Sequence, residues 1–278
     1  VPTDRRAAVI GSPVDHSLSP VLHGAAYAAL GLTGWTYDRI ECDEAGLPAL
    51  VASLGPEWIG LSVTMPGKAA ALATASSATE RARAVGAANT LIHADDGTWR
   101  ADCTDIDGVT GALRAAGYEP GTSAVVLGAG GTARAALAGL VELGISQATV
   151  VVRDLSRAAD AVACAERLSL RMELAEWSTV DFAALARDAA VVVNTAPASA
   201  AAPLASTMAL APCVLDVIYH PWPTPVADAV AAAGGRLATG LDMLLHQAFA
   251  QVEHFTGQPA PRTEMRDALR LAAGGVLL

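Results

Sequence analysis

The sequence predicts an α/β chain of two domains, and three observations carry that reading. Short apolar runs alternate with helical stripes along most of the chain, the pattern of largely parallel, helix-covered sheets. A glycine-rich turn, Gly128-Ala129-Gly130-Gly131, sits between a strand-like run and a helix-like run. That turn begins well inside 278 residues, enough chain for two domains of about 100–150 residues each.

The elements follow in order. Ala8–Ile10 reads as a short strand. Ser19-Pro20 reads as a helix start, serine at the N-cap and proline at the first helical position. Leu22, Ala26 and Leu30 continue the stripe, and Gly31 ends it. Trp35–Ile40 is a second strand, Gly46–Leu54 a helix and Trp58–Val63 a third strand. Pro66 opens the next helix, and Asn89–His93 is a strand before an Asp95-Asp96-Gly97 turn. A second unit begins near Thr104–Leu113. Val125–Leu127 is a buried strand, followed by the glycine turn and an alanine-rich helix to Leu143, closed by Gly144. Thr149–Val152, Val191–Val193 and Val214–Val217 read as strands. Ser156–Arg167 and Thr224–Ala233 read as helices. After Gly240 a long amphipathic helix runs to about Phe255, and Arg262–Leu271 forms a last short one.

Composition excludes several classes. The formal net charge of −10 argues against a nucleic-acid surface. No apolar run approaches the ~20 residues of a membrane span, and Val-Pro-Thr-Asp-Arg-Arg lacks the apolar stretch of a secretion signal. Cys42, Cys103, Cys164 and Cys213 are scattered and form no CxxC, which reads as reduced thiols in a cytoplasmic protein. The six histidines show no paired spacing, so no metal is expected.

Strand, Gly128-x-Gly130-x-x-Ala133, helix is a dinucleotide fingerprint. The first glycine permits the tight turn, the second lets backbone approach a pyrophosphate, and the small third residue lets helix pack on strand. Amides and the dipole at the helix start face the phosphate charge. After the next strand comes Arg153-Asp154-Leu155-Ser156-Arg157. Arg153 and Arg157, a helical turn apart, suit the 2′-phosphate of NADP, whereas Asp154 suits the ribose diol of NAD. NADP is the expected cofactor, with NAD as second candidate. Two solvated arginines would look the same in sequence.

The residues before the fingerprint are expected to build a substrate domain. They hold four polar strings. Ser17 and Ser19 lie at a helix start, where hydroxyls suit a carboxylate or hydroxyl ligand, although Ser19 equally suits a plain N-cap. His16 reads as structural. Ser62-Val-Thr64-Met-Pro-Gly-Lys68 holds the sole lysine among 18 Lys and Arg. Arginine stays charged and clamps, whereas a lysine ammonium can be tuned to trade a proton. Lys68 is therefore an acid/base candidate. Gly86-Ala-Ala-Asn89-Thr90 places a neutral donor and acceptor at a strand start. In Asp102-Cys103-Thr104-Asp105-Ile106-Asp107-Gly108, Asp105 is a candidate polar group, although it equally suits plain electrostatic support of a helix N-terminus.

Together these strings resemble the shikimate dehydrogenase family over essentially the whole chain. Its G-x-P-x-x-H-S-x-S-P-x-x-H pattern is matched by Gly11 through His23, and V-T-x-P-x-K by Val63, Thr64, Pro66 and Lys68. Gly86 to Thr90 match G-A-x-N-T, and Thr104, Asp105 and Gly108 match T-D-x-x-G. Asp216, Tyr219, Pro221, Thr224 and Pro225 match D-x-x-Y-x-P-x-x-T-P, and Gly240 through Ala248 match G-L-x-M-L-x-x-Q-A.

The resemblance implies reversible, NADP-linked reduction of 3-dehydroshikimate to shikimate in chorismate biosynthesis. It implies Lys68 and Asp105 as the acid/base pair. Ser17, Ser19, Thr64, Asn89, Tyr219 and Gln247 would meet substrate, and Gly128, Ala129, Gly130, Gly131, Arg153, Arg157 and Gly240 would meet cofactor. The expected organisation is a substrate domain at 1–103, a Rossmann-type domain at 104–238, and carboxy-terminal helices at 239–278 returning to the first, with the active site in the cleft. The protein is expected to act as a monomer or homodimer. A quinate-active, NAD-preferring relative and a non-catalytic nucleotide binder are the rival readings. Ser62 and Cys103 stand where the family usually has asparagine, and Val152-Arg153-Asp154 replaces its common N-R-T.

Overall fold

Strand β1 (Arg5–Gly11) is buried from Ala7 to Gly11, and an apolar run of this kind belongs in a sheet interior. It lies between β2 (Trp35–Glu41) and β3 (Trp58–Val63), parallel to both. A computed structural model describes residues 4–274. The outermost residues of the expected terminal segments, 1–3 and 275–278, lie outside the described residues. The chain divides into two compact units, one running to Thr104 and resuming at Gln247, the other spanning Asp105–His246.

The first unit threads α1 (Ser19–Ala29), α2 (Leu47–Ser53), α3 (Lys68–Thr74), β4 (Ser77–Ala78), α4 (Glu80–Val85), β5 (Thr90–His93) and β6 (Trp99–Asp102) through a six-stranded sheet of order β2-β1-β3-β5-β6-β4. The expectation of a largely parallel sheet fails at β5, which is antiparallel to both β3 and β6. The Asp95-Asp96-Gly97 turn accounts for the β5–β6 pair. Asp96 accepts the Thr98 amide at 2.9 Å and Gly97 has φ +81, so the turn closes a hairpin instead of feeding a crossover helix. Leu47, Trp58, Leu61, Leu91 and Trp99 fill the core.

Two helix starts differ from the sequence expectation. Leu18, not Ser19, occupies the N-cap position of α1, and its side chain makes no capping bond. Pro66 lies outside α3: Gly67 N bonds Thr64 O at 3.0 Å, closing a turn before the helix begins at Lys68.

In the second unit, α5 (Asp105–Ala115) precedes β7 (Ser123–Leu127), α6 (Gly131–Glu142), β8 (Gln147–Val152), α7 (Ala159–Arg167) and β9 (Arg171–Glu176). Next come α8 (Phe182–Asp188), β10 (Val191–Asn194), α9 (Ala198–Ala201), α10 (Ala205–Met208), β11 (Cys213–Asp216), α11 (Pro225–Ala233) and β12 (Arg236–Thr239). The sheet order is β12-β11-β10-β7-β8-β9 and every pair is parallel. Counted from β7 this is 6-5-4-1-2-3, the doubly wound order of dinucleotide-binding domains, in which strand order reverses beside β7. Leu137, Leu140 and Val150 pack on one face of the sheet, and Phe182, Met208 and Val230 on the other.

Helix α12 (Gly240–Thr256) carries the chain from the second unit back into the first, the division falling between His246 and Gln247. Its start is held reciprocally: Thr239 Oγ1 accepts the Asp242 amide at 3.2 Å while the Asp242 carboxylate accepts the Thr239 amide at 3.0 Å. In the first unit α13 (Arg262–Ala272) packs on α1.

Candidate active site

Within the first unit three of the polar strings, and Thr104 of the fourth, converge because the three sit at ends of neighbouring strands. Gly11 ends β1 so close to Thr64 that a Cβ there would overlap the threonine methyl. Val63 N bonds Asn89 O at 2.7 Å, and Ala88 N bonds Lys68 O at 2.9 Å, so the segment opening α3 and the segment opening β5 form one ledge. Lys68 is half-buried at the first turn of α3.

Asn89, 3 % exposed, is the hub. Its Nδ2 donates to Gln247 Oε1 at 3.1 Å and to Thr104 Oγ1 at 3.0 Å, and its Oδ1 accepts the Thr104 amide at 2.7 Å. Buried polar groups demand such partners. Here the partners lock three amide and hydroxyl side chains into one orientation. Ser17 Oγ accepts the Ser19 amide at 3.3 Å. Since Ser19 caps no helix, the plain N-cap reading of it falls.

In the second unit Asp105 is buried at the start of α5. Gly128 has φ +100, a conformation that disfavours any side chain, and its amide bonds Val151 O at 3.0 Å. Gly130 differs: a Cβ there meets nothing within 4 Å, so the turn is open at the head of α6. No acidic residue occupies the first turn of α6, and Ala133 is fully buried against the sheet. Open space, helix-start amides and close helix packing together fit a dinucleotide pyrophosphate.

Past β8, Asp154 Oδ1 accepts both the amide and the hydroxyl of Ser156, at 2.9 and 2.6 Å, and these bonds hold its carboxyl below the ordinary carboxylate range. Asp154 thus caps a short 3-10 turn, Leu155–Ala158. Arg153 and Arg157 are exposed, and neither forms an ion pair within 4 Å among the described residues. The acidic residue is engaged in local structure while the two cations remain available.

Gly240 packs against the segment after β11, where a Cβ would collide with Val217 O and lie 3.0 Å from the Tyr219 ring. Asp216 shapes that segment. Burial raises its pKa, against the opposing bonds from Thr224 at 2.6 Å, Asn194 at 2.9 Å and the Ile218 amide at 3.2 Å. Burial likewise raises the Tyr219 phenol pKa.

Sequence reasoning missed several polar residues. Gln251 donates to Thr90 Oγ1 at 2.9 Å and to Asn89 O at 3.2 Å. Its spacing from Gln247, i to i+4 on one helix face, was the available signal. Tyr37 and Arg39 alternate along β2 and left no comparable trace.

A doubly wound dinucleotide unit joined to a unit with a dense hydroxyl and amide cluster defines the class: a dinucleotide-dependent α/β oxidoreductase. A family model described as the shikimate dehydrogenase substrate binding domain matches residues 9–91, and one described as the shikimate 5'-dehydrogenase C-terminal domain matches 240–270. Shikimate dehydrogenase (NADP(+)) of Methylobacterium radiotolerans is 38% identical over 95% of this chain and 96% of that protein. The crystal structure of the Mycobacterium tuberculosis shikimate dehydrogenase is 54% identical, covering 96% of this chain and 99% of that one, with TM-score 0.90. The Thermus thermophilus enzyme, solved in complex with NADP(H) and shikimate, is 31% identical over 96% of this chain and 99% of that one, with TM-score 0.80. The chain belongs to the shikimate dehydrogenase family.

Proposed function

We propose that this protein catalyses the reversible, NADP-linked reduction of 3-dehydroshikimate to shikimate, a step of chorismate biosynthesis, in the cytoplasm as a monomer or homodimer. The observation that carries the reading is the locked Asn89–Thr104–Gln247 set, sharing a ledge with Lys68. Hydroxyl and amide side chains fixed in orientation suit a substrate bearing several hydroxyls, and such sites reject analogues that lack them.

Gly128, Ala129, Gly130 and Gly131 hold the pyrophosphate in this reading, Arg153 and Arg157 the 2′-phosphate, and Gly240 a further part of the cofactor. When bound, the nicotinamide supplies or takes the hydride. This chain's own residues handle the rest. Ser17, Ser19, Thr64, Asn89, Tyr219 and Gln247 orient the substrate. As the ketone carbon gains hydride, negative charge grows on its oxygen. The Lys68 ammonium stabilises that charge and delivers the proton that completes the alcohol. Asp105 favours the charged amine and takes part in returning its proton. In the oxidative direction Lys68 accepts the hydroxyl proton.

Parallel assays with shikimate and quinate, each with NADP and NAD, test the proposal. The expected result is fast turnover of shikimate with NADP. Preference for quinate with NAD, or cofactor binding without turnover, overturns it. Arg153→Ala and Arg157→Ala are each expected to raise the KM for NADP about tenfold, the scale of a lost charge-assisted contact. The KM for NAD should barely move, because NAD lacks the phosphate. An equal rise for both cofactors would remove the 2′-phosphate assignment.

A further inference from the structure

Helix α12 sends a second amide into the interior of the first unit, one turn beyond Gln247, and the reading of function above gives it no part. Gln251 is fully buried. Its Nε2 donates to Asn89 O at 3.2 Å and to Thr90 Oγ1 at 2.9 Å. Its Oε1 accepts from Ser62 Oγ at 2.8 Å and meets His23 Nε2 at 3.4 Å. One side chain of α12 thus ties together α1, β3 and β5.

We propose that Gln251 is a positioning residue for Asn89, which fixes the way the Asn89 amide faces and thereby the hydroxyl recognition of the site. The proposal rests on the reading that Asn89 meets substrate.

Gln251 has one orientation open to it. Turned over, its carbonyl would face Asn89 O, and two acceptors have no proton between them. With the amide nitrogen on Asn89 O, the carbonyl faces Ser62. Ser62 gives it a proton and itself accepts from the Tyr37 phenol at 2.6 Å. Burial lowers the His23 pKa to about 3 against the opposing Gln251 bond, so the ring is neutral and its Nε2 carries the proton that Oε1 receives. Both protons and both acceptor sites of the Gln251 amide are then used.

That order reaches Asn89 by two routes. The first is through the main chain. Asn89 O accepts from Val63 N at 2.7 Å as well as from Gln251, so the residue is held at its backbone from two sides. The second runs through Thr90, also fully buried. Thr90 Oγ1 accepts from Gln251, which leaves its own proton for Asn89 Oδ1, 3.0 Å away. The same Oδ1 accepts the Thr104 amide at 2.7 Å. Two donors on one oxygen turn Nδ2 to the other side, toward Gln247 Oε1 and Thr104 Oγ1. A substrate hydroxyl arriving at Asn89 and Gln247 therefore meets donor and acceptor roles already set, and preset roles reduce the ordering cost of binding.

Gln251→Met keeps the length and bulk of the side chain and removes these bonds. The expected result is a KM for shikimate raised about tenfold, the scale of one lost hydrogen bond in a buried network. The kcat should stay within about twofold. The KM for NADP should not change, since the glycine turn and its arginines belong to the other unit. The deciding measurement is coupling. In an Asn89→Ala background the same substitution should change kcat/KM for shikimate by less than about twofold, because a residue acting through Asn89 then has nothing to act on. A merely structural Gln251 predicts the full tenfold in both backgrounds, or a rise of both KM values together, and either result overturns the proposal. So does an unchanged shikimate KM. Should Gln251→Met fail to fold, Thr90→Val, which keeps the shape and breaks only the hydroxyl link, decides by the same outcomes. Wild-type protein inactive on shikimate, or an Asn89→Ala variant with unchanged shikimate KM, sinks the functional reading and this inference with it. Effects that add in full across the two positions sink this inference alone.

Discussion

Lys68→Ala is expected to cut kcat for shikimate oxidation by at least about a hundredfold, with only a modest change in shikimate KM, because general acid/base help is typically worth ~10²–10⁴-fold. The alanine variant loses both the proton and the charge that meets the developing oxyanion. Lys68→Arg separates these roles. A guanidinium restores positive charge but does not give up a proton at working pH. Its turnover should therefore stay close to that of the alanine variant, not return toward wild type. Lys68 is half-buried in the first turn of α3, and the bond its main-chain carbonyl accepts from the Ala88 amide is preserved on substitution. Steady-state assays with both variants, alongside melting curves, decide the matter. Near-normal turnover of the alanine variant would reject the assigned role, and strong recovery in the arginine variant would reduce that role to electrostatics.

What the sequence revealed and what it hid divide along physical lines. The second sheet was legible because parallel, doubly covered strands are written as continuous apolar runs such as Ala124–Leu127 and Val191–Val193, and the Gly128 turn marks its first crossover. The edge strand β9 was not, since Arg171-Met-Glu-Leu-Ala-Glu176 leaves its charges and Leu174 exposed, keeps no strict alternation, and has no turn signal before it. The hairpin β5–β6 was half legible: its turn was seen, yet the four-residue strand Trp99–Asp102 after it was too short to show a period. The serine, threonine, lysine and asparagine strings stood out because each interrupts an apolar pattern at a strand or helix end. Tyr37, Arg39 and Gln251 did not, because an amphipathic strand or helix is expected to carry polar residues, and only the bonds they make set them apart.

Asp102 illustrates the same limit and gives the largest expected effect on stability. Nothing in Trp99–Asp102 announces a buried charge, yet the side chain of Asp102 is only 2% exposed. Arg81 grips both carboxylate oxygens, Nε to Oδ1 at 2.8 Å and Nη2 to Oδ2 at 2.7 Å, while Thr79 donates at 2.7 Å and His254 lies at 2.8 Å. Burial alone would raise its pKa, but the bonds from Arg81, His254 and Thr79 outweigh burial and hold it far below the ordinary carboxylate range. Breaking a buried pair from one side costs roughly 3–5 kcal/mol. Arg81 and His254 keep 29% and 27% of their side-chain surface in water, so the cost of Asp102→Ala should fall near the lower end. At roughly 2–4 °C per kcal/mol for a chain of this size, a melting temperature about 6–12 °C lower is expected at pH 7. The sign with pH follows from the depressed pKa. The stabilisation is fully present above the unfolded carboxylate value of about 3.9 and is lost as pH falls below it toward the folded value. The gap between wild type and Asp102→Asn should accordingly hold from pH 7 to about 4 and narrow at lower pH; a gap constant down to pH 3 would refute the charge-based account. The cluster also bears on the site. His254 lies seven residues beyond Gln247 on α12, and Asp102 accepts the Cys103 amide at 2.8 Å, directly before Thr104. Weakening Asp102 therefore loosens the seats of Gln247 and Thr104 together, two of the partners that hold Asn89. Shikimate KM in Asp102→Asn should rise in step with the loss of stability, not independently of it.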